Sequence, residues 1–131
     1  MANETLQAIH LNNIGQIAIT VHDLSRSRDF YRDVLGMKFL FDAGQMVFFQ
    51  CGSIRLMIGT GEKDAPVSSS TILYFKVEDI EATHAVLQTQ GVVFAQPPHL
   101  VARMPDHDLW LAFLKDPDGN VLGLMSEVPK H

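Results

Sequence analysis

The chain carries one pattern twice. Residues 15–24 read Gly-Gln-Ile-Ala-Ile-Thr-Val-His-Asp-Leu and residues 71–80 read Thr-Ile-Leu-Tyr-Phe-Lys-Val-Glu-Asp-Ile, so Val21 and Asp23 return as Val77 and Asp79 after 56 residues. Gly36 and Phe39 return as Gly91 and Phe94 after 55, one deletion later. Self-similarity of this kind marks a duplicated supersecondary unit. The expected fold class is α+β, built from two βαβββ modules over about residues 14–59 and 71–126. Residues 60–70 read as the linker, and residues 1–131 as a single domain.

Within each unit the order of elements follows from local chemistry. Ile17 to Val21 and Ile72 to Val77 are dense in branched and aromatic residues, which suits strands. Asp23 and Asp79 then stand where a carboxylate can cap a helix N-terminus. Ser27, Phe30, Tyr31, Val34 and Leu35 recur at helical spacing, and Ile80, Thr83, His84 and Leu87 trace a weaker stripe. Gly36 and Gly91 close the two helices as left-handed caps. Strands are expected at Met37–Phe41, Met46–Cys51, Ile54–Ile58, Val92–Ala95, Leu109–Lys115 and Asn120–Met125, with Asp116-Pro117-Asp118-Gly119 as a turn. Gln96–Asp108 lacks period and reads as a long loop, a length that in a compact domain is often functional.

Composition narrows the partners. Fifteen acidic against ten basic residues give a net charge of −5, with no basic stripe, which disfavours nucleic acid and anionic membrane and suits a neutral or cationic small molecule. Cys51 is the only cysteine, so no internal disulfide forms; set in Val-Phe-Phe-Gln-Cys, it reads as a core residue. No apolar run approaches the roughly 20 residues of a membrane span, and the N-terminus lacks a signal-peptide pattern. A cytoplasmic location is the expectation.

Three segments carry a resemblance: Ile17-Ala18-Ile19-Thr20-Val21-His22-Asp23-Leu24, Phe30-Tyr31-Arg32-Asp33-Val34-Leu35-Gly36 and Ala112-Phe113-Leu114-Lys115-Asp116-Pro117-Asp118-Gly119-Asn120. Together they resemble the vicinal-oxygen-chelate superfamily, which includes glyoxalase I, bleomycin-resistance proteins, extradiol dioxygenases and methylmalonyl-CoA epimerases. The resemblance covers about residues 14–126 and implies a cup-shaped mixed sheet, a small-molecule substrate or ligand and a homodimer. It also implies a divalent metal held at four strand positions. These fall on Gln16, Arg55, Ile72 and Gly123. Gln offers an oxygen, whereas Arg has no acceptor and Ile and Gly have no donor atom in their side chains.

The polar residues left to the cup are candidates for function. Gln16, Arg55, Tyr74, Arg103 and Trp110 are the candidate ligand-binding residues, with Arg55 suited to anchoring an anion. His99, His107 and Asp106 are the candidate acid–base group, Asp106 orienting an imidazole. Gln16 and His107 are the candidate ligands of a rearranged metal site. Two readings stay open: a lyase, isomerase or dioxygenase-type enzyme with a degenerate metal site, and a metal-free small-molecule or drug-binding protein of the bleomycin-resistance type that takes a basic guest.

Overall fold

A computed structural model describes residues 9–61 and 71–130. Most of the expected linker therefore lies outside the described residues. The first unit contains β1 (Gln16–Val21), α1 (Leu24–Asp29), β2 (Lys38–Ala43), β3 (Met46–Cys51) and β4 (Ile54–Thr60). The second contains β5 (Leu73–Lys76), α2 (Ile80–Thr89), β6 (Val93–Arg103), β7 (His107–Lys115) and β8 (Val121–Pro129). Two four-stranded mixed sheets result, ordered β1-β4-β3-β2 and β5-β8-β7-β6. In both, the first strand pairs in parallel with the last and the other pairs are antiparallel. The α+β duplication read from the sequence is the architecture observed.

The helices start and stop for the reasons expected. The Asp23 and Asp79 carboxylates each accept from a backbone N–H three residues on, at Arg26 and Ala82, both at 3.0 Å. Gly36 and Gly91 take φ of 73° and 83°, a region a β-carbon disfavours. The first helix departs from expectation after Asp29. It widens into a π-helical turn over Phe30–Val34, in which Leu35 N–H donates to the Phe30 carbonyl at 3.0 Å. That turn puts the neighbouring Phe30 and Tyr31 both into the core.

Residues 96–108 are not a long loop. β6 runs through them as an edge strand, and only a short turn separates it from β7. Pro97 and Pro98 lack N–H groups, which hid the strand, but an edge strand needs only one side of its ladder. Register shifts between Phe94 and Gln96, Gln96 and His99, and Leu100 and Ala102 absorb the misfit, and they also break the alternation that would have marked a strand.

Strand alternation gives each sheet two different faces. Ile17, Ile19, Val21, Phe49, Leu56 and Ile58 of the first sheet pack with Phe30 and Tyr31 of the first helical segment. Phe75, Phe94, Ala112, Leu114, Leu122 and Leu124 of the second pack with Ile80 and Leu87 of α2, and all belong to one core. Each sheet is thus covered by its helix on one face, and its other face is free.

A buried polar cluster in the Asp116–Asn120 turn ties the units together. The Asp116 carboxylate accepts from the Tyr31 hydroxyl (2.9 Å), the Asn120 side-chain amide (2.8 Å) and the backbone N–H groups of Asp118 (2.9 Å) and Asn120 (2.8 Å). The Asn120 amide also donates to the Thr20 carbonyl at 3.1 Å, and Asp118 accepts from Ser27 and Arg26 at 3.1 and 3.0 Å. Burial, with the Asp116 charge adding to it, pushes the Tyr31 phenol far above its ordinary value of 10.0. Tyr31→Phe should cost about 1–3 kcal/mol in urea unfolding, because it removes a donor from a buried carboxylate without opening a cavity. The raised value also sets a pH signature. Above pH 10 the unfolded tyrosine ionises while the folded one stays protonated, so wild-type stability falls with rising pH. That alkaline fall should be shallower in Tyr31→Phe, and equal slopes would contradict the assignment.

Candidate functional site

On the free face of the first sheet the registers align side chains into rows across the strands. The first row is Gln16, Arg55, Gln50 and Lys38; the second is Ala18, Met57, Phe48 and Phe41; the third is Thr20, Gly59, Met46 and Ala43. A cationic, amide-rich row thus borders an apolar, aromatic one. Phe41 stacks on Phe48 at 4.7 Å with 24° between the rings, and the Arg55 guanidinium lies 5.9 Å from the Phe48 ring centre. Phe41 remains 46% exposed, so one ring of the stack meets solvent. Gln16 Nε2 approaches the Met57 sulfur at 3.9 Å, while the Gln50 amide donates to the Gly52 carbonyl at 2.6 Å.

The free face of the second sheet is also aromatic but differently charged. Tyr74 lies opposite Gly123, with Phe113 and Gln96 continuing the row; the next row is Lys76, Met125, Leu111 and His99. Tyr74 meets Phe113 edge-on at 5.8 Å, and His99 lies 6.4 Å from Phe113. The His99 Nδ1–H donates to the Pro97 carbonyl at 2.8 Å, which leaves Nε2 of a neutral ring as an acceptor. Toward the far end the charges are paired. Lys76 Nζ is 2.7 Å from Glu127, His107 Nε2 is 3.5 Å from Glu127, and His107 Nδ1–H donates to Asp106 at 2.7 Å. The His107 bond holds the Asp106 carboxyl below its usual range, and the Lys76 bond does the same for Glu127.

The sequence candidates therefore separate into groups. Gln16 and Arg55 are neighbours on the first free face; Tyr74 and His99 share the second; Asp106 and His107 meet at its end. Trp110 packs against the core on the helix side of β7, and Arg103 pairs opposite Asp108, whose carboxylate it approaches at 3.6 Å. Neither joins the free face, because β7 alternates and the true strand register was hidden by the bulges of β6. The sequence reading missed Phe41, Phe48, Phe113, Lys76 and Glu127. Met46-Val47-Phe48-Phe49 was the available signal, since a strand apolar on both faces has a second surface to occupy.

The divalent metal implied by the resemblance does not fit the donors present. Tyr74, two residues past Ile72, lies opposite Gly123; the same stagger from Gln16 leads through Ala18 to Met57, not to Arg55. The four positions are then Gln16, Met57, Ile72 and Gly123, with a single hard oxygen donor among them. Of the rearranged pair, Gln16 belongs to the first sheet and His107 to the second, where it is bonded to Asp106 and lies near Glu127. His99 and His107 are four residues apart in β7 register, about 13 Å at roughly 3.3 Å per residue. Among the described residues no three His, Cys, Asp or Glu side chains converge to hold an ion.

The position opposite Tyr74 is also sterically closed. A β-carbon at Gly123 would come within 2.6 and 2.8 Å of Tyr74 ring atoms. Glycine is needed here for the close approach of that ring, and a glutamate would displace it. A cavity of about 700 Å³ lies between the units, bounded by Leu35, Met37, Phe75, Val86 and Leu124 and reaching Lys38 and Gln50 at the end of the first row.

Two mixed sheets with one helix-covered and one free face each, repeated in tandem, define a glyoxalase-like protein. The chain belongs to the Glyoxalase/Bleomycin resistance protein/Dioxygenase superfamily, whose pattern it matches over residues 13–124. It is 28% identical over 124 residues to the uncharacterized protein YraH of Bacillus subtilis, covering 82% of this chain and 92% of YraH. Over 75 residues it is 31% identical to the metallothiol transferase FosB of Staphylococcus saprophyticus, which spans 54% of this chain and 49% of FosB. Its fold matches TnmS3, an antibiotic binding protein from Streptomyces sp. CB03234, with a TM-score of 0.70 and 24% identity over 94% of this chain and all (100%) of that one. Among the described residues no helix is long and apolar enough to cross a membrane.

Gly123→Ala should destabilise the protein by about 1 kcal/mol, the low end for overpacking, because the crowded Tyr74 ring is 45% exposed. In a Tyr74→Ala background the same substitution should cost almost nothing, a coupling that a double-mutant cycle in urea reads directly. Additive costs would show that the ring does not require the glycine.

Proposed function

We propose that the protein binds a small organic molecule on its free sheet faces without a metal at the superfamily's customary positions. The observation carrying this reading is the Tyr74–Gly123 contact, in which an aromatic ring takes the space a metal-binding carboxylate would need. Phe41 and Phe48 on the first free face, and Tyr74 and Phe113 on the second, each offer flat apolar area with polar groups at its border, the combination that small-molecule sites use. The antibiotic binding protein that shares the fold is in keeping with sequestration of a guest. Association of two chains, as a homodimer in a cytoplasmic setting, belongs to the same proposal, because the free face of each sheet is open in one chain.

Thermal unfolding against a panel of aromatic natural products tests the reading. A bound compound stabilises the native state by mass action, so it should raise the melting temperature by several degrees. The rise should be unchanged in excess EDTA and should shrink in Tyr74→Ala or Phe113→Ala. Stabilisation that appears only with added zinc, manganese or nickel would sink it.

A specific observation favours one rival. His107 is held between Asp106 and Glu127, an arrangement that orients an imidazole for proton transfer, and His99 has a free ring nitrogen on the same sheet. Under this second reading the protein is a lyase or isomerase that works by acid–base catalysis. The similarity to the metallothiol transferase keeps an enzyme in view. His107→Ala would then abolish turnover of a stabilising compound and leave its affinity nearly unchanged.

A further inference from the structure

We infer that the free face of the first sheet is built for a planar aromatic molecule bearing an anionic group, with Arg55 as the anion's partner and Phe41 as the stacking surface. The inference rests on the reading of the free faces as a binding site and adds the chemical class of the guest. It also runs against the net charge. A chain at −5 repels anions at long range, so affinity for one has to come from a local arrangement.

That arrangement is visible in which cations are already satisfied. Among the described residues, Arg26, Arg28, Arg32 and Arg103 each lie within 4.0 Å of a carboxylate, and Arg55 does not. Its guanidinium instead lies over the Phe48 ring. Lys38, at the other end of the same row, is likewise without a carboxylate partner among the described residues, and Gln16 stands directly beside Arg55. Elsewhere on the second free face a cation is neutralised, with Lys76 bonded to Glu127 at 2.7 Å. In an acidic protein, two unpaired cations in one strand row beside an aromatic stack leave a positive edge on an apolar platform.

The geometry then selects the guest. The guanidinium fork matches a carboxylate or sulfonate with two parallel N–H bonds, and its plane also stacks on rings. A ring lying flat across the sheet face against the exposed side of Phe41 and over Phe48 would place a substituent toward the Arg55 row, the adjacent row of the sheet. Covering Arg55 with that ring removes water from the ion pair and strengthens it over the exposed case. A basic guest, which the overall charge favours, would meet the two cations instead.

The test uses the full chain and two isosteric probes, 2-naphthoate and 2-naphthamide, measured by titration calorimetry at low salt. Wild type should bind naphthoate at least tenfold more tightly than naphthamide, and the preference should fall as salt is raised. Arg55→Met keeps the apolar stem and should bring the two affinities within about twofold. Phe41→Ala should weaken both, since the ring contact is common to them; Phe41 and Arg55 are exposed, and circular dichroism checks that both variants fold. Equal affinity of wild type for the two probes, or a naphthoate preference that survives Arg55→Met, overturns the anion site. If in that case Phe41→Ala still weakens both probes, the binding face itself stands and only the guest's charge is wrong. No saturable heat with naphthoate up to millimolar concentration overturns the inference, whatever the compound panel shows.

Discussion

The Asp116 carboxylate is the constraint on which the rest of the arrangement depends. It is 4% exposed and accepts from four donors, of which the Tyr31 hydroxyl comes from the other unit. A buried charge is tolerated only when its lone pairs are filled, and here they are filled from both sides of the junction. The same turn sends Asn120 to the end of β1 and Asp118 to α1. Moving the units apart would leave a buried carboxylate short of donors. The helix-covered faces are therefore committed to one another, and the opposite faces are the surface left for function.

Duplication made those two faces equivalent in layout, and substitution has made them unlike. In the first, Ala18 on β1 faces Met57 on β4, small against large. In the second, Tyr74 on β5 faces Gly123 on β8, large against small. The volume is kept while the bulky side chain changes strand. Charge is placed differently too: Arg55 and Lys38 have no carboxylate partner among the described residues, whereas Lys76, Glu127, His107 and Asp106 form a paired chain on the second face. Paired groups of this kind hold side chains in place, whereas an unpaired cation is available to a guest.

How much of this was legible in the sequence depended on whether a signal was local. Asp23 and Asp79 before the helices, Gly36 and Gly91 after them, and the Asp-Pro-Asp-Gly turn are read within a few residues, and each does what its chemistry predicts. β6 was hidden because its prolines and three register shifts erase alternation, and its strand character comes from pairing with β7. With it went the placement of Arg103, Trp110 and His107, which depends on knowing where the strand changes face. That Gln16 and Tyr74 share the strand face opposite Ile17 and Phe75 was readable, because a period of two needs no partner. Their neighbours were not, since rows across a sheet are set by register between strands.

Register also explains why the customary metal positions and the aromatic lining cannot be judged one residue at a time. Read along the chain, Gly123 is a customary metal position without a side-chain donor. Read across the sheet, it is the floor beneath Tyr74, and a carboxylate there would have to evict the ring before it could face any ion. The Arg55 position reads the same way: the stagger that joins Ile72 to Gly123 passes it by, and what Arg55 meets is Phe48. At Gly123 and at Arg55 alike, the neighbour across the sheet is an aromatic ring and not a hard oxygen donor. On each free face the polar groups therefore stand beside an aromatic surface, and register between strands decides which of them meet it.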